Sequence, residues 1–161
     1  MRGATDFSNT VRALTFPIEF SVALFALLLN FPWEVLQAPL YSGMADQPFS
    51  DVIRGCAQAT LGDTVIMLLS YWLVSVFAAN RQWIFAPSGS QQALFMATGL
   101  SVTTVIEWLA THGNWVQSWT YSAAMPIVPI IGVGLSPLLQ WIVVPVLVLW
   151  LVRRQLRRDG E

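Results

Sequence analysis

The stretch that decides the fold is FPIEFSVALFALLLNFPWEVLQAPLY, residues 16–41. It is one long apolar run with few polar side chains, and it exceeds the roughly 20 residues that a helix needs to cross the hydrocarbon core of a membrane. Three further runs of this kind lie approximately at 52–79, 91–111 and 127–152. The sequence therefore predicts an all-α membrane protein, a four-transmembrane-helix bundle that forms a single integral membrane domain over residues 1–161.

The composition of the chain also indicates a membrane protein. Hydrophobic residues make up 55% of the chain and charged residues only 11%, whereas an ordinary soluble domain has about 25% charged residues. The net charge of −1 gives no sign of nucleic acid as a partner. The single cysteine, Cys56, excludes an internal disulfide and a thiolate metal cluster.

The arginine residues predict how the bundle sits in the membrane. In a four-span topology Arg54 falls on one side of the membrane and the other seven arginines fall on the opposite side. Because basic residues concentrate on the cytoplasmic side, both termini are predicted to be cytoplasmic, in a protein integral to the cytoplasmic (inner) membrane of a bacterium. No small-residue cleavage site follows a short apolar core, so the first span is predicted to remain in the mature protein. The arginines on the cytoplasmic side are Arg2, Arg12, Arg81, Arg153, Arg154, Arg157 and Arg158.

Polar residues follow one face of the first span. Asn30, Glu34, Gln37 and Tyr41 are spaced at i, i+4, i+7 and i+11, which places them in one stripe on a helix. Lipid satisfies none of their hydrogen-bonding groups. This stripe is therefore predicted to face protein or water.

Each of the other spans adds polar side chains at a similar depth. Asp63 lies near the middle of the second span, Glu107 about one turn below the outer end of the third, and Gln140 early in the fourth. We therefore expect a polar pocket that opens outward and is closed by apolar residues on the cytoplasmic side. Small residues near Asp63 predict a surface on which another helix approaches closely. They are Gly55, Ala57, Ala59 and Gly62.

The buried carboxyl groups are the candidate catalytic residues, because an ionisable group inside a membrane is costly and marks a functional site by default. They are Glu34, Asp63 and Glu107. The alternative is that they act as hydrogen-bonded glue between helices. The candidate ligand contacts are the pocket's other polar side chains and aromatic residues near the outer boundary, although such aromatics also anchor membrane proteins. They are Asn30, Trp33, Gln37, Tyr41, Trp115, Trp119, Tyr121 and Gln140.

Three chemistries fit buried carboxyl groups in a membrane. A desolvated carboxyl can protonate a double bond of an apolar substrate or remove an adjacent proton. A hard metal ion such as Mg²⁺ or Mn²⁺ is a second option, but no single span carries a ligand pair at metal-binding spacing, so no metal site and no particular cofactor is predicted. A proton- or solute-conducting path is the third, although the inner half offers it no polar continuation.

The segment IEWLATHGNWVQSWTYSAAMPIVPIIGVGLSPLLQ, residues 106–140, carries a resemblance to a known family. Together with its flanks, over residues 103–152, it resembles the membrane-embedded lycopene cyclases of the small heterodimeric type. Those proteins have an acidic residue late in a span, a Trp-x-Tyr-like element in a short outer loop, and a Gly-Leu-Pro-containing start of an apolar helix. The matching residues are Glu107, Trp119, Tyr121, Gly134, Leu135 and Pro137.

The chain departs from this family after the proline. The paired glutamates that are thought to supply acid–base chemistry in the cyclases are here Leu139 and Gln140. The resemblance therefore implies a membrane-embedded isoprenoid site without the family's acid–base pair.

The leading functional prediction is that the pocket binds an apolar lipid or isoprenoid, and the sequence leaves open whether it also converts this ligand by acid–base chemistry. Two alternatives come from other classes: a non-catalytic accessory subunit of a larger membrane complex, and a small transporter. The predicted partners are the lipid bilayer, a lipid or isoprenoid ligand and, for the accessory subunit, a membrane-protein partner or further copies of the chain.

Overall fold

A computed structural model of the chain describes residues 17–113 and 118–158. Four long helices dominate it, and all four are long and apolar enough to cross a membrane. The prediction of an all-α membrane protein with a four-helix bundle is confirmed. The helices are α1 Ile18–Gln37, α2 Phe49–Phe77, α3 Gly89–Thr111 and α4 Leu135–Arg158.

The helices form a ring in which each one packs against two others. α1 contacts α2 and α4, and α3 contacts the same two helices from the opposite side. We call the end that carries the α1–α2 and α3–α4 connections the site end. The other end, which carries the start of α1, the end of α4 and the α2–α3 connection, is the terminal end.

The apolar core of the bundle is concentrated toward the terminal end. Val22, Tyr71 and Val148 are fully buried there. Trp83, from a 3₁₀ turn in the α2–α3 connection, is also buried under the helices, and its indole nitrogen donates a 3.1 Å hydrogen bond to Ser75 Oγ. This half of the bundle is therefore closed by close packing of apolar and aromatic side chains.

The outer surface of the bundle is apolar where the helices face away from one another. Leu36, Leu61, Val76 and Trp150 are all among the exposed large hydrophobic residues, with Leu36 79% exposed. Such a surface is unfavourable in water but matches the hydrocarbon layer of a membrane. The helices therefore contact the lipid bilayer.

The start of α4 differs from the sequence-based prediction. The predicted fourth span begins at residue 127, but residues 127–134 form a small antiparallel hairpin, β1 Ile127–Val128 with β2 Val133–Gly134, and α4 begins only at Leu135. Pro126 and Pro129 lack the backbone donors that a helix requires, and Gly132 has a φ of +67°, which closes the turn. The apolar composition of this segment conceals a turn.

The start of α3 is set by local hydrogen bonds. Ser88 Oγ accepts a hydrogen bond from the Gln91 backbone N–H, and the Gln91 side chain in turn accepts from the Ser88 backbone N–H at 2.8 Å. This reciprocal arrangement is a capping box. It fixes where α3 leaves the terminal end and so the depth at which its carboxyl group, Glu107, reaches the site end.

Candidate functional site

A cavity of about 450 Å³ lies between the four helices toward the site end. Every helix contributes to its wall, and so does the α1–α2 connection through Tyr41 and Met44. The wall combines apolar side chains such as Val52, Ile66 and Ile106 with polar ones. The polar residues from the helices are Glu34, Gln37, Gln58, Asp63, Thr103, Glu107 and Gln140.

Gln140 connects three of the helices through one atom. Its Nε2 lies 2.9 Å from Asn30 Oδ1, 3.0 Å from Glu34 Oε1 and 2.8 Å from Asp63 Oδ2. The amide group has two hydrogens for these three acceptors. The side chain is 2% exposed, so α1, α2 and α4 converge on a buried amide that has no donor to spare.

Gln37 closes the same network from the next turn of α1. Its Nε2 donates to Glu34 Oε1 at 2.8 Å and to Gln140 Oε1 at 3.3 Å, while its own Oε1 accepts from the Ser136 hydroxyl at 2.8 Å. We call Asn30, Glu34, Gln37, Asp63 and Gln140 the amide–carboxyl cluster. Both glutamine amides in it donate to acceptors within it.

The carboxyl groups of Glu34 and Asp63 meet at one donor, because both accept from Gln140 Nε2, at 3.0 and 2.8 Å. Asp63 is the central residue of α2, so this meeting point lies deep in the bundle. No arginine or histidine of the described residues lines the cavity. The one described arginine at the site end, Arg54, instead pairs with Asp51 at 3.1 Å on the surface. The two carboxyl groups are therefore held together by amide donors, without a protein cation.

Glu107 forms a second centre on the opposite wall. Its Oε2 accepts hydrogen bonds from Tyr121 Oη at 2.5 Å and from Trp119 Nε1 at 3.2 Å, and its Oε1 accepts from Tyr41 Oη at 3.2 Å. Burial, together with the nearby Glu107 carboxyl, raises the pKa of both Tyr41 and Tyr121. Both phenols therefore remain neutral donors, and three neutral groups satisfy this carboxyl group.

The two connections at the site end are joined to each other. Tyr41 and Tyr121 form an antiparallel β-bridge, flanked by backbone hydrogen bonds of 2.9 Å from Ser42 N to Thr120 O and from Ser122 N to Leu40 O. Tyr41 also packs edge to face against Trp119, with ring centroids 6.3 Å apart. The connections therefore form a cover over the end of the cavity, anchored on Glu107.

The structure brings most of the predicted site residues together. Tyr121 and Asn30 do not line the cavity but bond to residues that do. Trp33 lies elsewhere, packed against the apolar core with its indole nitrogen unpaired. Trp115 lies outside the described residues. The predicted residues that line the cavity are Glu34, Gln37, Tyr41, Asp63, Glu107, Trp119 and Gln140.

The cavity also contains residues that the predicted site does not include. Thr103 on α3 is 8% exposed, and its hydroxyl has no hydrogen-bond partner. Gly55, Ala59 and Gly62 on α2 line the cavity as well. Within the described part of this chain no other helix approaches either glycine, because no atom outside the local backbone of α2 lies within 4 Å of where a Cβ on Gly55 or Gly62 would be. The spacing of these three residues from Asp63 along the helix is the sequence feature that could have indicated that they face the cavity.

The metal option finds no support in the geometry. Within the described ranges, no group of three or more His, Cys, Asp or Glu side chains is placed to hold a metal ion. Glu107 points its oxygens at tyrosine and tryptophan donors, and the remaining two carboxyl groups bond to glutamine amides.

No protein-family model, curated protein or solved structure matches the chain.

Proposed function

We propose that this chain binds an apolar lipid or isoprenoid in the cavity at the site end, with the polar end of the ligand at Glu34 and Asp63. The observation that carries the proposal is the convergence of these two carboxyl groups on the Gln140 amide at the wall of a 450 Å³ cavity, without a cation among the described lining residues. Cavities that bind small molecules have volumes of about 300–1,000 Å³ and apolar walls with a few polar groups.

The packing around the carboxyl groups supports a ligand more than structural glue. Polar groups that only join helices are expected to be paired with each other and enclosed. Here Glu34 and Asp63 line open space, and the Thr103 hydroxyl, which lines the same cavity from α3, is unpaired among the described residues. Among the described residues, the groups that line the cavity can therefore still form hydrogen bonds with a bound molecule.

The orientation of the bundle is part of the proposal. Arg81, Arg153 and Arg154 lie at the terminal end and Arg54 lies at the site end. By the positive-inside rule, the terminal end is cytoplasmic, and the cavity lies in the outer half of a bacterial inner membrane.

Acid–base conversion of the ligand is a second candidate function, favoured by the same carboxyl pair. One carboxyl group can protonate a double bond while its neighbour removes a proton from an adjacent carbon. The proton count balances, so a double bond shifts without a further reactant. The resemblance of residues 103–152 to lycopene cyclases adds an isoprenoid to the candidates for this substrate, because Glu107 and Trp119 belong to the resemblance and line the cavity, and Tyr121, also part of the resemblance, donates to Glu107.

The two remaining alternatives predict different structures. A transporter needs a polar path through the terminal half, but this half is packed with residues such as Ala26, Met67 and Val144. An accessory subunit needs no cavity. Its carboxyl groups would act only between helices.

The proposal is tested by measuring which molecules remain bound to the purified chain in lipid nanodiscs, using native mass spectrometry. We expect one apolar molecule per chain. Asp63→Asn should lower its occupancy about tenfold, since a hydrogen bond to a charged group contributes about 1.5–3 kcal/mol. Asp51→Asn, the same change at the exposed start of α2, is the matched control and should retain wild-type occupancy.

Two other outcomes would contradict the proposal. If neither the wild type nor the control binds an apolar molecule, and a membrane protein co-purifies in stoichiometric amount, the accessory-subunit alternative is correct. Equal occupancy in Asp63→Asn and Asp51→Asn would place the ligand away from the carboxyl pair and overturn the proposed site.

A further inference from the structure

The wall of the cavity on α2 is open. Gly55, Ala59 and Gly62 lie at i, i+4 and i+7, so they form one stripe. All three line the cavity and are exposed. The space beside both glycines is unoccupied by any described atom within 4 Å of where a Cβ would lie. This stripe is part of a helix that crosses the membrane, so the opening lies at the depth of the hydrocarbon layer.

The opposite side of this opening belongs to α3. Thr103 and Ile106 line the cavity from that helix, and the Thr103 hydroxyl is buried and unpaired. The side chains on the two sides are mostly small or apolar, and the polar ones include Thr103 and also Gln58, which lies on the same face of α2 as Gly55 and Gly62. The gap between α2 and α3 therefore resembles a slot for an apolar chain, with the unpaired Thr103 hydroxyl inside it.

The path from the aqueous side is covered. Tyr41, Met44 and Trp119 line the cavity at the site end, and the two connections there are joined by the Tyr41–Tyr121 bridge. A molecule that comes from water has to displace these rings or separate the joined connections. A molecule that comes from the lipid through the slot on α2 meets neither.

At the cavity wall the amide–carboxyl cluster can still accept hydrogen bonds, but its two glutamine amides have no donor to spare. Gln37 Nε2 and Gln140 Nε2 already contact two and three acceptor oxygens. Glu34 Oε2 and Asp63 Oδ1 accept no hydrogen bond from any described donor. An anionic group placed here would meet two carboxyl groups and no cation, which is unfavourable at low dielectric.

We infer that the ligand is a single-chain amphiphile whose polar end is a hydroxyl or an amine, and that its tail lies in the slot between α2 and α3, through which it enters from the membrane. This inference rests on the proposed function and names the class of ligand and its placement. The polar end donates to Glu34 or Asp63, and the tail passes Gly62, Ala59 and Thr103. Phosphate-bearing lipids are disfavoured, because their anionic head group would meet two carboxyl groups and no cation among the described lining residues.

A second copy of the chain is the other occupant that small residues on α2 could receive, because small-residue stripes allow close helix packing. The carboxyl groups behind the stripe favour the amphiphile. A packed helix buries its own backbone donors in internal hydrogen bonds, so it offers nothing to Glu34 or Asp63 from its main chain.

The first test uses geranylgeraniol as the probe alcohol, added to the full chain in phosphatidylcholine nanodiscs and counted by native mass spectrometry. Gly62→Leu should lower bound alcohol about tenfold or more, because the added side chain fills the slot. Ala57→Leu adds the same bulk at an exposed position of α2 that does not line the cavity, and it should bind like the wild type. Geranylgeranyl diphosphate should bind at least tenfold more weakly than the alcohol.

Each other outcome contradicts a different statement. If the wild type binds neither the alcohol nor any co-purified apolar molecule, the proposed function fails. If the wild type binds the alcohol and Gly62→Leu binds it equally, the function stands and the slot is wrong. Equal binding of the diphosphate overturns the donor-headed ligand. A wild-type dimer that Gly62→Leu converts to a monomer, with unchanged alcohol binding, assigns the stripe to a second copy.

A second measurement does not depend on the folding of any variant. A geranylgeraniol analogue with a diazirine at the far end of its tail is cross-linked to the wild-type chain, and the labelled peptides are mapped. We expect labels on residues 55–62 of α2 and 103–106 of α3. Labels confined to residues 41–44 and 119–122 would place the tail under the cover and refute the slot.

Discussion

Replacing Gln140 by leucine tests whether the amide–carboxyl cluster holds the helices together. The amide makes three donor contacts, to Asn30, Glu34 and Asp63, and accepts one hydrogen bond from Gln37. Leucine has a similar volume and fits an apolar bundle, so the substitution removes these contacts without opening a large cavity.

The expected loss of stability follows from these contacts. Side-chain hydrogen bonds between membrane helices contribute about 0.6 kcal/mol each on average. The two amide hydrogens and the one accepted bond therefore contribute roughly 2 kcal/mol in total. The Asp63 carboxyl, which loses its amide donor while Glu34 keeps Gln37, adds to this figure, since an unsatisfied buried acceptor costs about 1–3 kcal/mol. We expect Gln140→Leu to lower the free energy of unfolding by about 3–5 kcal/mol.

The assay is equilibrium unfolding in mixed micelles with increasing denaturing detergent, followed by circular dichroism. Leu139→Ala, at the neighbouring lipid-exposed position, is the control and should change stability far less. Adding Asp63→Leu to Gln140→Leu should recover part of the loss, because a carboxyl group without a partner is then removed. A loss below about 0.5 kcal/mol for Gln140→Leu, near the value of a single such bond, would refute the reasoning and make the cluster energetically neutral.

Four other expectations follow from the geometry. Gly99→Ala should lower the melting temperature strongly, because the new Cβ would overlap the Trp141 ring that packs on this glycine. Glu34→Gln should keep the fold but lose bound lipid, whereas Glu34→Leu should lose both; unchanged lipid content in the amide variant contradicts a binding role. The cover should be fully stable below a pH of about 10, the ordinary pKa of tyrosine, and should weaken above it, because the pKa of Tyr121 is raised beside Glu107 in the folded chain. Melting temperatures from pH 7 to 11 measure this effect, with Tyr121→Phe for comparison. A C-terminal alkaline phosphatase fusion should be inactive and a C-terminal fluorescent-protein fusion should be bright, and the reverse pattern would invert the orientation.

The features that periodicity encodes could be predicted from the sequence. The four helices follow from the length of their apolar runs, and the polar face of α1 follows from the spacing of Asn30, Glu34 and Gln37. Counting residues predicts a similar depth for Asp63 and Gln140, and the structure places Gln140 Nε2 2.8 Å from Asp63 Oδ2. Counting along helices predicts depth well because the rise per residue is constant.

The features that depend on tertiary contacts could not be predicted in the same way. Nothing in the local sequence indicates that Tyr41 pairs with Tyr121 or that both donate to Glu107. Trp33 is adjacent to Glu34, but successive helical residues point about 100° apart, and Trp33 packs on the apolar core instead. Whether small residues such as Gly62 admit a helix or leave a slot depends on the separation of α2 and α3, which their own sequence does not encode.

The position of Gln140 determines where any acid–base chemistry in the cavity can reside. The resemblance to lycopene cyclases, which remains a proposal, places their glutamate pair at Leu139 and Gln140, whereas at position 140 this chain has an amide that donates to Glu34 and Asp63. An ionised carboxylate at position 140 could not donate to either group. The amide therefore holds two carboxyl groups that α1 and α2 supply, so two of the three carboxyl groups that line the cavity lie in the half of the chain that the resemblance does not cover.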